Sequence, residues 1–296
     1  MKQEKPHATG KEPRQDLHQL VRAAAIEAGA LAMKWFRNGE RTKARVWTKG
    51  KSSPVTTADV EVDEFLRRRV AVVGEEFGWL SEETVDSPER LQRRFVFVVD
   101  PIDGTRAFIE GDPRWCVSIA LVDNGVPSVA VVHAPALQMT HEAVADGEAL
   151  LNGRPIHVSQ ASSLAKARVA GPRFLLDALT ADNTQIIPMG KIPSLAHRFC
   201  RLADGSLDAA LASANANDWD IAAAHLIVER AGGRLADLDG TVPRYNQAST
   251  THGRLFAASA DAFDCMLAEV RRALGLPENT LSATEPWPSN RESAPR

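Results

Sequence analysis

The sequence predicts a mixed α/β protein, α+β in its first half and α/β in its second. Three observations carry this. Residues 95–99 (F-V-F-V-V) are five β-branched or aromatic residues without a break, the pattern of a strand buried on both faces. The apolar runs 115–122 and 128–132 flank the turn Asp123-Asn124-Gly125, and Asn-Gly between two such runs signals an antiparallel hairpin. In the second half, strand candidates alternate with helical stretches.

In chain order, residues 1–14 are polar and predict a disordered tail. Leu17, Leu20, Val21, Ala24, Ala25, Ala28 and Leu31 form a helical stripe running to about Phe36, closed by Asn38-Gly39. Residues 41–48 read as a short strand and 50–57 as a loop. Asp59 follows, and Val60, Phe65, Leu66, Val70 and Val73 fit a second helix. By itself Asp59 is a carboxylate at a helix start, where an N-cap is its commoner role. Residues 139–145 read as a further strand and 147–155 as a turn-rich loop. A subdomain boundary near 150 is expected there, giving an N-terminal half over 15–150 and a C-terminal half over 151–276. In the latter, 168–170, 186–189 and 207–211 are strand candidates, and 194–203 is a helix with Leu195, Phe199 and Leu202 on one face and Gly205 at its end. Ile221, Ala224, Ile227, Val228 and Ala231 define another helix, preceded by Asn217-Asp218-Trp219-Asp220 and ended by Gly232-Gly233. Alone, Asp220 reads as an N-cap. Residues 235–239 and 255–259 are short strands, 261–274 a last helix, and 277–296 a Pro- and Ser-rich disordered tail.

Composition narrows the function. The 296 residues are 44% hydrophobic and 25% charged, an ordinary globular balance for one large or two ordinary domains. A net charge of −3 gives no reason to expect a nucleic-acid polymer as partner. No apolar run is long enough for a bilayer, so no membrane partner is expected. No secretory h-region is visible, and three widely spaced cysteines form neither a disulfide framework nor a zinc pattern. A cytoplasmic protein with reduced thiols is the expectation. H-E-x-x-H, the nucleoside-triphosphate P-loop and G-x-S-x-G are all missing from the sequence.

The chemistry centres on residues 95–108, where the apolar run ends in Asp100-Pro101-Ile102-Asp103-Gly104-Thr105. Pro101 lacks an N–H and is expected to stop the ladder. Two carboxylates three residues apart then emerge from a rigid strand, a pair suited to a hard divalent cation. If Thr105 opens a helix, the amides of Gly104 and Thr105 face an anion. Asp-Pro and Asp-Gly are also ordinary turn formers, and the motif alone leaves that reading open.

Four blocks in order resemble the Mg²⁺-dependent inositol monophosphatase superfamily: K-S-S-P-V-T-T-A-D (51–59), L-S-E-E (80–83), D-P-I-D-G-T (100–105), and W-D-I-A-A-A (219–224) with A-G-G behind it. The resemblance spans roughly residues 16–275. It implies the layered αβαβα sandwich of the sugar-phosphatase type, a commonly dimeric and often Li⁺-inhibited phosphatase, and a small phosphate ester as substrate. It further implies two or three Mg²⁺ ions. One is held by Glu82, Asp100 and the Ile102 carbonyl, the other by Asp100, Asp103 and Asp220. Glu83 lies nearby. Asp59 and Thr105 position the attacking water, and the Gly104 and Thr105 amides hold phosphate oxygens.

For the substrate, Ser81 and the stretches 53–59, 130–135 and 194–205 resemble the branch acting on 3′(2′),5′-bisphosphate nucleotides. An inositol monophosphatase usually carries a Glu seven residues before the last aspartate, whereas this chain has Ser213 there. Arg106-Ala107-Phe108 resembles some histidinol phosphatases, although these often have Gly-Thr at Cys116-Val117. Pro193-Ser194 departs from the usual Gly-Ser or Gly-Thr near the substrate. The expected order is bisphosphate nucleotidase, then inositol monophosphatase, then histidinol phosphatase. A regulatory binding protein that keeps the fold without catalysis is the reading from another class. It is disfavoured because no metal-ligand type is lost.

Overall fold

The computed structural model describes residues 12–277 apart from 51, 52, 183 and 191. Most of both expected tails, and Lys51 of the first motif, lie outside the described residues. Residues 12–14 do not: they begin α1 (Glu12–Met33), which ends three residues before the sequence pattern predicted. A hairpin of β1 (Val46–Lys49) and β2 (Ser53–Thr56) leads into α2 (Thr57–Val70). Residues 53–56, expected as loop, are thus a strand. Then come β3 (Phe77–Ser81), which the sequence pattern missed, β4 (Phe95–Asp103), α3 (Thr105–Glu110), β5 (Cys116–Asp123), β6 (Val126–Ala134), β7 (Met139–Val144), β8 (Leu150–Leu151) and β9 (Arg154–Pro155). The second half holds β10 (Arg168–Ala170), α4 (Arg173–Ala181), β11 (Ile187–Pro188), α5 (Leu195–Ala203), β12 (Ala209–Ala212), β13 (Ala216–Asn217), α6 (Asp218–Arg230), β14 (Gly233–Asp237), β15 (Thr251–His252), β16 (Leu255–Ser259) and α7 (Phe263–Ala273). Of these helices, α4 carried no expectation: Pro172 precedes it and it has no side-chain cap to announce it.

β3 to β9 form one seven-stranded sheet in sequence order, with only β3 and β4 parallel. The Asn-Gly turn joins β5 to β6 as expected. Asn124 and Gly125 both have positive φ, 50° and 83°, the geometry that a two-residue hairpin turn demands. A five-stranded sheet runs β11-β10-β12-β16-β14.

Strand alternation builds the layers. Phe97 and Val99 of β4, with Ile119 and Val131, pack under α1 and α2 (Val21, Ala28, Val62, Leu66). Val96 and Val98 face the other way, onto Phe199 and Leu202 of α5 and Ile221 and Ile227 of α6. The far side of those two helices meets Ala210, Leu235 and Ala257 of the five-stranded sheet within the same core. That sheet's outer face, with Val169, Leu211 and Phe256, is covered by α4 and α7 through Leu175, Phe263 and Leu267. The order is helices, sheet, helices, sheet, helices: the αβαβα sandwich. No helix among the described residues is long and apolar enough to cross a membrane.

One expectation is corrected at the centre. Pro101 does not end β4. Pairing with β5 breaks after Asp100↔Ser118 and resumes at Asp103↔Cys116, so Pro101 and Ile102 sit in an irregularity that the ladder survives. A bulge leaves the proline without a ladder partner to satisfy and re-aims the side chains around it.

Candidate active site

Three elements converge at the C-terminal end of β4. One carboxylate oxygen each from Asp100, Asp103 and Asp220 lies within 4.8 Å of the other two. Asp100 and Asp103 are buried on β4, and Asp220 enters from the first turn of α6. At an effective dielectric of about 20, two such charges at this separation repel by about 3–4 kcal/mol. Three mutual pairs thus rival the whole net stability of a domain, roughly 5–15 kcal/mol. Glu82, just beyond β3, is not in this tight trio but acts on it. After burial, its charge is the largest influence raising Asp100 well above the usual carboxylate range. Glu82 itself is pushed up to about 8 by burial and then by Asp220, and Asp220 up to about 7 by burial and then by Asp103.

The three carboxylates are seated differently. Asp103 is held through one oxygen: its Oδ2 accepts from the Ser194 hydroxyl at 2.6 Å and the Ala196 amide at 2.7 Å. Burial still leaves it raised, against those bonds. Ser194 caps α5, where its Oγ also accepts from the His197 amide at 3.0 Å. Gly104 makes this contact possible. It has φ +91°, and a Cβ there would come within 3.3 Å of the Ser194 backbone nitrogen. Asp100 is a different case. Its Oδ1 accepts from the Ile102 amide at 3.0 Å, while Oδ2 is buried with no partner among the described residues. Buried acceptors are rarely left so, and a missing cation is one ordinary reason. Hard carboxylate oxygens, one of them orphaned, are the donor set that Mg²⁺ or a similar divalent cation takes.

Asp59 and Thr105 are brought together as expected, with Thr105 Oγ1 3.2 Å from Asp59 Oδ1 and 3.1 Å from the Ile102 carbonyl. The capping role read for Asp59 is corrected. Thr56 is the cap of α2, and Asp59, three residues on, accepts from the Thr56 amide at 2.8 Å and its hydroxyl at 2.5 Å. Burial pushes Asp59 up to about 6 despite those bonds. Asp220 repeats the arrangement. Asn217 precedes α6, and Asp220 Oδ2 accepts the Asn217 amide at 2.6 Å. Neither aspartate is the N-cap that its position alone suggests. Thr-x-x-Asp and Asn-x-x-Asp before an apolar run are the signals that could have placed both.

Ile102 is fully buried and contributes its carbonyl to the Thr105 contact. Gly104 and Thr105 open α3, where helix geometry leaves the first amides without an internal acceptor. Ser213 is exposed just beyond β12. Ser81 is buried, and its hydroxyl donates to Asp63 of α2 while its oxygen accepts from the Glu83 amide at 3.4 Å. Sequence reasoning missed the donors to Asp103, and Cys116, whose Sγ is 3.3 Å from Ser194 Oγ. A serine before an apolar helix is an N-cap signal, but nothing local says which carboxylate it meets.

The family model of the inositol monophosphatase family matches residues 14–275. A histidinol-phosphatase of Mycobacterium tuberculosis is 35% identical over 234 residues, covering 71% of this chain and 85% of that protein. Inositol monophosphatase 2 of Solanum lycopersicum is 31% identical over 230 residues, covering 73% and 87%. Among solved structures, a Thermotoga maritima IMPase superposes with a TM-score of 0.75 at 25% identity, covering 88% of this chain and 98% of that one. The fold, the clustered carboxylates and these relatives agree: the chain belongs to the inositol monophosphatase family and is a phosphatase, a phosphoric monoester hydrolase.

Proposed function

We propose that the protein is a Mg²⁺-dependent phosphomonoesterase whose metal ligands are Glu82, Asp100, the Ile102 carbonyl, Asp103 and Asp220. The observation that carries this reading is the buried trio with the orphaned Asp100 Oδ2, which has no hydrogen-bond partner among the described residues. Two or three Mg²⁺ ions held there would neutralise the carboxylates, lower the pKa of a water and stabilise the leaving alkoxide. The chain's own residues do the rest. Thr105 Oγ1 and Asp59 Oδ1 form one hydrogen-bonded pair that orients the attacking water. With its pKa near 6, Asp59 is ionised at neutral pH, close enough to the operating range to take the proton. The amides of Gly104 and Thr105 hold the phosphate oxygens.

For the substrate, L-histidinol phosphate comes first. Arg106-Ala107-Phe108 follows the central motif, and three relatives called histidinol-phosphatase are 32–35% identical, 35% for the mycobacterial one. Ser81 no longer argues for a bisphosphate nucleotide, because its hydroxyl is committed to Asp63 behind the site. The nucleotide stays as the second reading on one observation. Ser213 stands, exposed, where inositol monophosphatases carry a Glu, leaving room for a bulkier substrate. We place the enzyme in the cytoplasm as a homodimer, and a monomer in light scattering would remove the dimer. The test is kcat/KM with Mg²⁺ for L-histidinol phosphate, 3′-phosphoadenosine 5′-phosphate and myo-inositol 1-phosphate. A lead of about a hundredfold, roughly 2.7 kcal/mol, for histidinol phosphate supports this ranking. A nucleotide lead reverses it, and release from none of them moves the regulatory reading to first place.

A further inference from the structure

The first turn of α6 carries a buried aspartate–histidine hydrogen bond that the proposed reaction does not use. Asp218 is fully buried, two residues before Asp220. Its Oδ1 lies 2.7 Å from Nε2 of His252, and its Oδ2 accepts from the Asn246 amide at 2.8 Å. The 2.7 Å separation is that of a hydrogen bond between the imidazole and the carboxylate. The side chains of both partners are almost wholly enclosed, 12% and 0% exposed, so the pair is not a solvated surface contact.

The pair sits where it can aim Asp220. β13 and β15 are antiparallel, with Ala216 opposite His252 and Asn217 opposite Thr251. The His252 carbonyl accepts from the Asn215 amide at 2.9 Å, and the Thr250 carbonyl from the Asp218 amide at 2.9 Å. Asn217, whose amide holds the Asp220 carboxylate, is thereby pinned from β15 on both sides. The segment leading into β15 is anchored in turn to two connections of the seven-stranded sheet, the β5–β6 turn and the β3–β4 link. The Tyr245 amide donates to the Gly125 carbonyl at 3.0 Å, and Arg90 Nη1 donates to Asn246 Oδ1 at 2.8 Å. The His252 ring also packs 5.6 Å from the buried ring of Tyr245.

We propose that His252 is a positioning residue for the divalent-cation site. Through Asp218 it locks the first turn of α6, and so the direction of the Asp220 carboxylate. This inference rests on the proposed reading of Asp220 as a metal ligand. Groups that orient a ligand in this way are typically worth about 10–100-fold in metal affinity.

The test is calorimetric titration of Mg²⁺ into the EDTA-stripped full chain, with Tm recorded alongside. Its arms are the parent, His252→Ala, His252→Gln and Asp220→Asn. The amide nitrogen of Gln reaches the position of Nε2 and can donate to Asp218. The expected result is a Kd at least about tenfold weaker in His252→Ala, restored to within about threefold in His252→Gln, with binding lost in Asp220→Asn. Should His252→Ala not fold, His252→Asn, whose amide falls short of Asp218, takes its place. A parental Kd in the Ala or Asn variant overturns the proposal, as does equal weakening in the Gln variant, since the loss then tracks ring packing. Parental binding in Asp220→Asn overturns instead the reading on which it rests.

Discussion

Two groups of buried carboxylates in this molecule meet opposite fates. Glu142 on β7 and Asp204 after α5 are as enclosed as many core residues, and burial alone would raise both. Glu142 lies 3.1 Å from His18 and 3.0 Å from Arg22 of α1, and those partners outweigh burial and hold it below its ordinary value. Asp204 is held low in the same way by His141, the Ser206 amide and Arg201. At the end of β4 the balance is reversed. Asp100, Asp103, Asp220 and Glu82 are each raised, mainly by burial, with neighbouring carboxylates adding to it for Asp100, Asp220 and Glu82. The protein spends His and Arg side chains where an acid only holds layers together and leaves a deficit of positive charge at the site. A bound divalent cation would make the two regions alike.

That contrast can be broken in order of effect. Asp100→Asn removes the orphaned oxygen's charge, and phosphate release should fall on the order of 10³-fold, the scale of losing a catalytic group. An unchanged rate would show that the orphan is incidental. Ser194→Ala takes the hydroxyl donor from Asp103 and should weaken Mg²⁺ binding by about 10–100-fold in a titration, leaving the fold intact. Glu142→Gln strikes the matched region. It should cost about 1–3 kcal/mol in denaturant unfolding by leaving His18 and Arg22 without their anion, with kcat unchanged. A loss of activity without a loss of stability there would contradict the division of roles.

The smallest effect is in pH. Raised carboxyls keep their protons in the folded state where the unfolded chain has lost them. Between the ordinary carboxylate range and the folded values of about 6 for Asp59, 7 for Asp220 and 8 for Glu82, folding therefore takes up protons and stability falls as pH rises. The metal-free Tm should drop by several degrees from pH 5 to about 8, and saturating Mg²⁺ should remove most of that drop. Glu142 and Asp204 act in the opposite sense, contributing stability above the ordinary range that is lost on acidification. A metal-free Tm that rises through neutral pH would mean that they dominate.

The same contrast explains how far the sequence could be read. The aspartates that the fold gathers were legible because each is a chemical type at a marked place: two around Pro101, and one at the start of each of two apolar helical runs. The strand 95–99, the Asn-Gly hairpin and α6 were legible because their periods and turn residues are local. What was not legible depends on partners far along the chain. β2 and β3 look like loop until a neighbouring strand satisfies their backbone, and β4 continues past Pro101 only because β5 resumes pairing at Cys116. Ser194 meets Asp103 across 91 positions, and His252 meets Asp218 across 34. No local pattern encodes such pairings.

The central claim is that the unmatched carboxylates at the end of β4 exist to hold a divalent cation. Its most direct test is calorimetric titration of Mg²⁺ into the EDTA-stripped protein at pH 7, for the parent chain and Asp100→Asn. Saturable binding with proton release by the parent, lost in the variant, is the predicted result. Equal binding by both, or none by the parent, would contradict the account.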